Sequence, residues 1–137
     1  MTQFNPYLVF NGDCAAAMRF YERVLGGKLN LMTHADGPAA GKVPPADAHR
    51  VMHAHLAFDG GVLMASDAMS SQPASPMRGF SLALTCPTAA EARRVFDALA
   101  EGGKVNVPLQ KTFWAEAWGQ LFDRFGTPWM VNGGMTM

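Results

Sequence analysis

Two stretches of the chain repeat each other: CAAAMRFYERVLGGK at residues 14–28 and AEARRVFDALAEGGK at residues 90–104. Identical residues recur between them at one constant spacing and without a gap, which indicates an internal duplication. The sequence therefore predicts two copies of one structural unit. The identical pairs include Phe20 and Phe96, Gly26 and Gly102, Gly27 and Gly103, Lys28 and Lys104, and Asn30 and Asn106.

Each copy of the repeat has the apolar spacing of an amphipathic helix. Thr88 and Glu91 form a capping box at the start of the second helix, and Asp13 is expected to cap the first. The glycine pair that ends each copy is expected to supply the left-handed residue that stops the helix. The apolar stripes are Ala17, Phe20, Tyr21 and Val24 in the first copy, and Ala92, Val95, Phe96 and Leu99 in the second.

Short apolar segments typical of strands surround each predicted helix in the same order. One precedes each helix and three follow it, so each copy is expected to fold as βαβββ. The last hairpins are expected to turn at Gly60–Gly61 and at residues 125–127. The predicted strands cover residues 6–10, 28–33, 51–58 and 62–66 in the first copy, and 80–85, 104–107, 119–123 and 129–132 in the second.

The predicted fold class is α+β, with tandem βαβββ modules that form an incomplete barrel. A four-stranded sheet with one helix has an open face, and the two open faces are expected to make a shared ligand pocket. The expected single domain has module one at 1–67, a linker at 68–78 and module two at 79–137. Two proline-containing stretches, Ala35–Arg50 and Asp67–Arg78, are expected to be flaps or unstructured connections.

Composition excludes several classes of protein. With 11 basic and 11 acidic residues, and no run of Lys or Arg, a nucleic-acid partner is not expected. No apolar run approaches the roughly 20 residues of a membrane span, and no signal peptide is recognisable, so a cytoplasmic protein is expected. Cys14 and Cys86 form no CxxC pair, and a reducing cytosol disfavours a disulfide between them. Both are interpreted as small buried apolar groups.

Several motifs resemble the vicinal oxygen chelate superfamily, which includes glyoxalases, extradiol dioxygenases and bleomycin-resistance proteins, and within it the PhnB-like branch. The resemblance covers essentially the whole chain and implies a small-molecule pocket and a homodimer. The motifs are Asn5-Pro-Tyr-Leu-Val-Phe-Asn-Gly12, Met52-His-Ala54, Leu63-Met-Ala-Ser-Asp67, Pro108-Leu-Gln110, Thr112-Phe-Trp114, Asp123-Arg-Phe-Gly126 and Trp129-Met-Val-Asn132.

The resemblance also implies where a metal ion would be held. Metal enzymes of this superfamily take one ligand from the first and one from the last strand of each half. Those four places fall on Pro6, Met64, Phe80 or Ser81, and Met130. Proline has no donor atom, phenylalanine is apolar, and a thioether or a neutral hydroxyl is a poor ligand for a hard divalent ion. The usual metal site is therefore expected to be absent, and no cofactor is expected.

His53 and His55 are the main candidates for chemistry. Being two apart on a predicted strand, their side chains should lie on the same face. Together with Glu116 they could serve as acid and base or hold a metal ion at a displaced position, since histidine does both. They could equally be hydrogen-bonded polar residues on a half-exposed strand. Gln110 and Glu116 flank an aromatic pair, Phe113–Trp114, that could close over the pocket.

Two functional hypotheses follow. The first is a metal-independent protein that binds a small apolar or aromatic molecule, in which Trp114 either stacks on the ligand or packs at a dimer interface. The second is a glyoxalase-like lyase or a dioxygenase with a non-standard site at His53, His55 and Glu116. The residues expected to line the pocket are Leu8, Met64, Ser66, Ser81, Trp114, Met130 and Asn132.

Overall fold

The computed structural model describes residues 1–38 and 40–136, and it contains two successive βαβββ units. Ala39, in a predicted loop, and Met137, the last residue of predicted module two, lie outside the described residues. The first unit has β1 (Tyr7–Phe10), α1 (Cys14–Leu25), β2 (Lys28–Thr33), β3 (Val51–Phe58) and β4 (Gly61–Asp67). The second has β5 (Leu82–Cys86), α2 (Ala89–Ala100), β6 (Lys104–Gln110), β7 (Ala115–Phe122) and β8 (Pro128–Met135).

The chain divides into two compact units, Met1–Ser75 and Pro76–Met137, which we call module one and module two. Each has one four-stranded sheet, in the order β1-β4-β3-β2 or β5-β8-β7-β6. The first and last strands of each module pair in parallel, and the other neighbours are antiparallel. The predicted α+β class and the tandem βαβββ order are confirmed.

In each module the helix carries a stripe of buried apolar residues, and the sheet buries alternate side chains. In β3, for example, Ala54 and Leu56 are fully buried whereas His53 is exposed. Because successive strand side chains point to opposite faces, one face of each sheet packs under the helix. The other face, which we call the open face, carries the more exposed set. Both apolar stripes predicted from the sequence are buried.

The repeated glycine pairs have two separate tasks. Gly26 and Gly102 have φ angles of 78° and 75°, a left-handed conformation that favours glycine, and they turn the chain after each helix. A Cβ atom on Gly27 would lie 2.1 Å from the carbonyl oxygen of Ala57, and one on Gly103 would lie 2.2 Å from that of Phe122. The second glycine therefore lets the helix exit touch the neighbouring strand.

The two helices are capped differently. In α2 the Thr88 hydroxyl accepts a hydrogen bond from the Glu91 amide at 3.1 Å, as the sequence predicts. The predicted Asp13 cap of α1 is wrong, because that side chain makes no capping hydrogen bond. Instead Asp67, at the end of β4, accepts from the amides of Gly12 (2.8 Å) and Cys14 (3.0 Å) through Oδ1. A carboxylate that comes from a distant strand replaces the local one.

The last three strands of module two extend beyond their predicted bounds, and β7 does so most at its start. β7 begins at Ala115 and not at the expected residue 119, and its side chains alternate between buried and more exposed as far as Phe122. Beyond it, Asp123 accepts hydrogen bonds from the amides of Phe125 (2.8 Å) and Thr127 (3.1 Å) and from the Trp129 indole (2.8 Å). This buried carboxylate fixes the turn between β7 and β8.

The long connections of module one are anchored by polar side chains. Asp47, in a short 3₁₀ turn, is 1% exposed and accepts a hydrogen bond from the Ser70 hydroxyl at 3.1 Å. It also lies 3.2 Å from Arg50 Nε, while Arg50 Nη1 donates to the Ala68 carbonyl at 2.8 Å. Asn11 brackets the backbone of Ala74 with two hydrogen bonds of 2.8 and 3.0 Å. The described part of residues 35–50 and residues 68–74 are thus held to module one.

Candidate ligand-binding faces

The open face of module one collects polar and apolar side chains from all four strands. His53 and His55 on β3 share this face with Met64 and Ser66 on β4, and Tyr7 on β1 lies beside them. Leu8, which the sequence placed in the pocket, is instead 3% exposed and faces the helix side of the sheet. In a strand whose four residues are all apolar, the pattern alone does not tell which pair faces the helix. Tyr7 and Val9 take the place expected of Leu8.

Three side chains of this face form what we call the His–Tyr cluster: Tyr7, His53 and His55. The Tyr7 hydroxyl lies 3.5 Å from His53 Nδ1, and the two rings are 5.9 Å apart between centroids. The His53 and His55 rings are 6.5 Å apart and inclined by 47°. Tyr7 and His53 are exposed and His55 is half-buried. The cluster thus offers two imidazoles and a phenol to the solvent side of the sheet.

The open face of module two is built in the same register from different residues. Asn132 on β8 pairs with Thr85 on one side and with Trp118 on the other. Met130, two residues earlier, pairs with Ala83 and Gln120. Asn132 is 7% exposed, whereas Trp118 and Met130 are half-buried. Aromatic, thioether and amide groups therefore occupy the positions that imidazole, thioether and hydroxyl groups occupy in module one.

An aromatic chain leads from the edge of module two to its open face. The Phe113 and Trp114 rings meet edge to face at 4.7 Å, and the Trp114 and Trp118 rings do so at 5.5 Å. The Thr136 amide donates to the Trp114 carbonyl at 2.8 Å, and its hydroxyl donates to the Phe113 carbonyl at 3.2 Å. The backbone is therefore fixed while the Phe113 ring remains 78% exposed. Trp118 was missed by sequence reasoning, because a strand expected to begin at residue 119 excludes it.

The remaining predicted site residues of module two lie near this aromatic chain or at the strand ends. Glu116 is exposed on β7, and a Cβ on Gly134 would lie 2.9 Å from its carboxyl carbon. Ser81 is exposed directly before β5. Trp114 precedes β7 and is half-buried. Glu116 thus belongs to module two and the His–Tyr cluster to module one.

Metal-binding potential is low at the positions that the resemblance singles out. Their side chains are Pro6, Met64, Phe80 or Ser81, and Met130, a set without carboxylate, imidazole or thiolate. Such a donor set does not suit the divalent ions of the superfamily's metal enzymes. Across residues 1–38 and 40–136, no group of three or more His, Cys, Asp or Glu side chains is arranged to hold a metal ion.

Both cysteines are free thiols of low reactivity. Burial, followed by the nearby carboxylates of Asp67 and Asp13, raises the pKa of the Cys14 thiol to about 12. Partial burial and then Glu91 raise the pKa of Cys86, and Arg94 opposes the shift. Since the thiolate is the nucleophile, neither residue is prepared for covalent chemistry at neutral pH.

Comparison with known proteins gives one consistent result. The sequence model of the Glyoxalase/Bleomycin resistance protein/Dioxygenase superfamily matches residues 3–131. Protein YjdN of Escherichia coli (strain K12) is 37% identical, over 93% of this chain and 92% of its own length. Protein PA1353 of Pseudomonas aeruginosa has a similar structure, with a TM-score of 0.90, 43% identity and 98% of each chain covered.

A more distant structure shares the fold. It is described as a putative 3-demethylubiquinone-9 3-methyltransferase, PhnB protein, from Bacillus cereus. The TM-score is 0.73 at 24% identity, with 96% of this chain and 98% of that chain covered. In the described part of the chain, no helix is both long and apolar enough to span a membrane.

Proposed function

The chain belongs to the glyoxalase/bleomycin resistance protein/dioxygenase superfamily, and from that premise we propose that it is a PhnB-like protein that binds a small apolar or aromatic molecule without the usual metal ion. The open face of each module is a proposed binding surface in its own right. The residues proposed to contact the ligand are Tyr7, Met64 and Ser66 on module one, and Ser81, Trp114, Trp118, Met130 and Asn132 on module two.

One observation carries the proposal: the aromatic chain of module two presents partly exposed rings on a fixed backbone. Trp114 and Trp118 meet edge to face at 5.5 Å, and neither is withdrawn into the core. Ordering a tryptophan before binding lowers the entropic cost of stacking a flat ligand on it. The half-buried Met64 and Met130 add flexible apolar contact that adapts to ligand shape.

The test is a titration of chelator-treated protein with quinoline, an uncharged flat aromatic probe, followed by tryptophan fluorescence. The proposal predicts saturable quenching with a Kd in or below the millimolar range, weakened at least fivefold by Trp118→Leu. Arg19→Ala, an exposed position on α1, is the matched control and should bind as the parent chain does. Quenching that rises linearly without saturation would defeat the proposal.

The His–Tyr cluster supports a second candidate, a glyoxalase-like lyase or dioxygenase with a non-standard site involving His53 and His55. The 3.5 Å approach of the Tyr7 hydroxyl to His53 Nδ1 gives one imidazole a fixed partner, as acid–base and metal sites require. Metal analysis of the purified protein decides between the candidates. A stoichiometric divalent ion that is lost in His53→Ala and His55→Ala would favour the enzyme.

We further propose a cytoplasmic homodimer. In each sheet the outer strands, β1 and β2 or β5 and β6, have one hydrogen-bonded neighbour within their own module. Such edges are commonly covered by pairing or packing against another surface. Sedimentation equilibrium at micromolar concentration should give twice the chain mass of 14.8 kDa, and a mass of one chain would contradict the dimer.

A further inference from the structure

The side-chain amide of Asn132 is an unusual feature of module two. The residue is 7% exposed, yet its side chain makes no hydrogen bond to any part of the chain that the structure describes. Among the described residues, the side-chain nitrogen or oxygen that is both inaccessible to solvent and without a hydrogen bond is Arg50 Nε. The amide atoms of Asn132, which also make no hydrogen bond, are therefore not completely inaccessible. The amide group of Asn132 thus lies at the surface of the open face, although the rest of the residue is buried.

The neighbours of Asn132 set the chemistry of this point on the sheet. In the neighbouring strands, Asn132 pairs with Thr85 on one side and with Trp118 on the other, and Trp118 in turn pairs with Gln110. None of these four side chains is ionisable in the physiological range. Glu116, two residues before Trp118 on the same face, is ionisable, but it is exposed and its carboxyl group lies beside Gly134. An amide presents one donor and one acceptor next to each other, so it matches a group that presents the reverse pair. Trp118 supplies a flat apolar surface directly beside it.

We propose that Asn132 and Trp118 form a subsite for a planar, uncharged ligand that carries a lactam or carboxamide edge. The ring lies against the Trp118 indole, while the ligand's N–H donates to the Asn132 Oδ1 and its carbonyl accepts from the Asn132 Nδ2. This proposal rests on the function proposed above and names its ligand class. It adds a specificity-determining residue, Asn132, to an apolar surface that otherwise selects only by shape.

The position in module one that corresponds to Asn132 shows why the subsite belongs to module two. Thr85 pairs with Asn132 as Val9 pairs with Ser66, so the register places Ser66 at the equivalent position. A serine hydroxyl is a single donor and acceptor on one atom, and it cannot pair with both groups of a lactam edge. Its β1 partner, Val9, is apolar. The two-point contact is therefore available in module two through Asn132.

Three related probes separate stacking from edge recognition. Quinoline has the ring system alone, 2-quinolone has the lactam edge, and N-methyl-2-quinolone has the same ring and carbonyl with its donor blocked. The N-methyl group removes the ligand's donor and leaves the Asn132 Oδ1 without a partner, which costs about 1.4 kcal/mol and corresponds to roughly tenfold in Kd. Calorimetric titration of the full chain should therefore show 2-quinolone binding about tenfold tighter than its N-methyl analogue.

Asn132→Leu, which keeps the approximate volume of the side chain, should bring the two quinolones within about twofold of each other. Gln120→Leu, on the same face beside Met130, is the matched control and should retain the preference. If Asn132→Leu does not fold, Asn132→Ala gives the answer, because it removes both the acceptor and the donor of the amide and must lose the preference.

Two outcomes would overturn the subsite. One is equal binding of the two quinolones by the parent chain, and the other is a preference that survives in the Asn132 variants. If the parent chain fails to bind quinoline as well, the function proposed above fails with it. Saturable quinoline binding without discrimination between the quinolones removes the subsite alone.

Discussion

The two modules share one topology but start their helices by different means. In module two the cap is local, since the Thr88 hydroxyl accepts from the Glu91 amide three residues later. In module one the carboxylate of Asp67 comes from the other end of the module and also accepts from the Val51 amide at 2.9 Å through Oδ2. One side chain thus joins the start of α1, the start of β3 and the end of β4. The register places Gly133 at the equivalent point in module two.

The open faces of the two modules also share one strand arrangement but carry different side chains. Module one carries the imidazoles of His53 and His55 at positions where the register places Trp118 and Gln120 in module two. A duplicated unit needs its helix-facing residues to keep the core, and the solvent-facing residues of the sheet are free to diverge. The comparison therefore distinguishes the residues that stabilise the fold from those proposed to contact a ligand. Variants in the two modules test that distinction.

Removing the Asp67 carboxylate should have the largest effect on stability. Asp67→Ala leaves the amides of Gly12, Cys14 and Val51 without their acceptor, and these amides are partly or fully buried. The expected loss is about 4 kcal/mol of unfolding free energy, measured by urea denaturation. Asp67→Asn, which keeps one carbonyl oxygen, should have an unfolding free energy between those of the parent chain and Asp67→Ala. A loss below about 1 kcal/mol would show that the carboxylate does not organise module one.

Substitution of Gly133, at the equivalent place in module two, should lower the unfolding free energy nearly as much. The reason is an added atom and not a lost contact. A Cβ on Gly133 would lie 2.4 Å from the Ala92 Cβ and 2.5 Å from the Thr88 carbonyl oxygen, so α2 must move away. Gly133→Ala should cost about 2 to 3 kcal/mol by overpacking. Ala83→Gly, which removes a methyl from the exposed side of β5, is a control for general strand effects. An unchanged denaturation midpoint for Gly133→Ala would refute the close contact.

Removing the local cap of module two should have a smaller effect. Thr88→Ala deletes one hydrogen bond at the exposed start of α2, and the expected cost is about 1 kcal/mol. Asp13→Ala, at the corresponding place in module one, should change stability by less than about 0.5 kcal/mol, since that side chain makes no capping bond. Equal losses from the two variants would contradict the difference between the caps.

The two thiols offer the mildest comparison. At pH 8 the native protein should react with iodoacetamide at Cys86 at least several times faster than at Cys14, as peptide mass spectrometry would measure. Cys14 is fully buried and its pKa is raised to about 12. Because the folded state keeps this proton while the unfolded chain releases it near 9.0, the contribution of Cys14 to stability is complete below pH 9 and declines toward pH 12. Faster labelling of Cys14 would contradict its burial.

The sequence predicted the repeated units well because their signals are local. The helix stripes, the Thr88 cap and the glycine pairs all act within a few residues along the chain. The Asp67 cap escaped prediction because its partners, Gly12 and Cys14, are distant in sequence, while Asp13 satisfied every local criterion. Hydrogen bonds to a residue distant in sequence cap α1 in place of the predicted local hydrogen bond.

The candidate site was less accessible to sequence reasoning, because it depends on strand phase. Leu8 and Tyr7 are both apolar neighbours in β1, and only the packing of α1 decides which of them is exposed. Trp118 was excluded because the start of β7 was predicted at residue 119, four residues too late. A one-residue change of phase moves a side chain to the other face, so such errors matter more for a site than for a fold.

The central claim is that the chain binds a small molecule without a metal ion, and one paired measurement tests it most directly. Metal content by plasma mass spectrometry and quinoline binding by fluorescence are measured on the same protein, before and after chelator treatment. The account predicts less than about 0.1 metal ion per chain after treatment, with quinoline affinity unchanged. Binding that disappears with the chelator, returns with a divalent ion and is absent from a His53→Ala/His55→Ala double variant would contradict it.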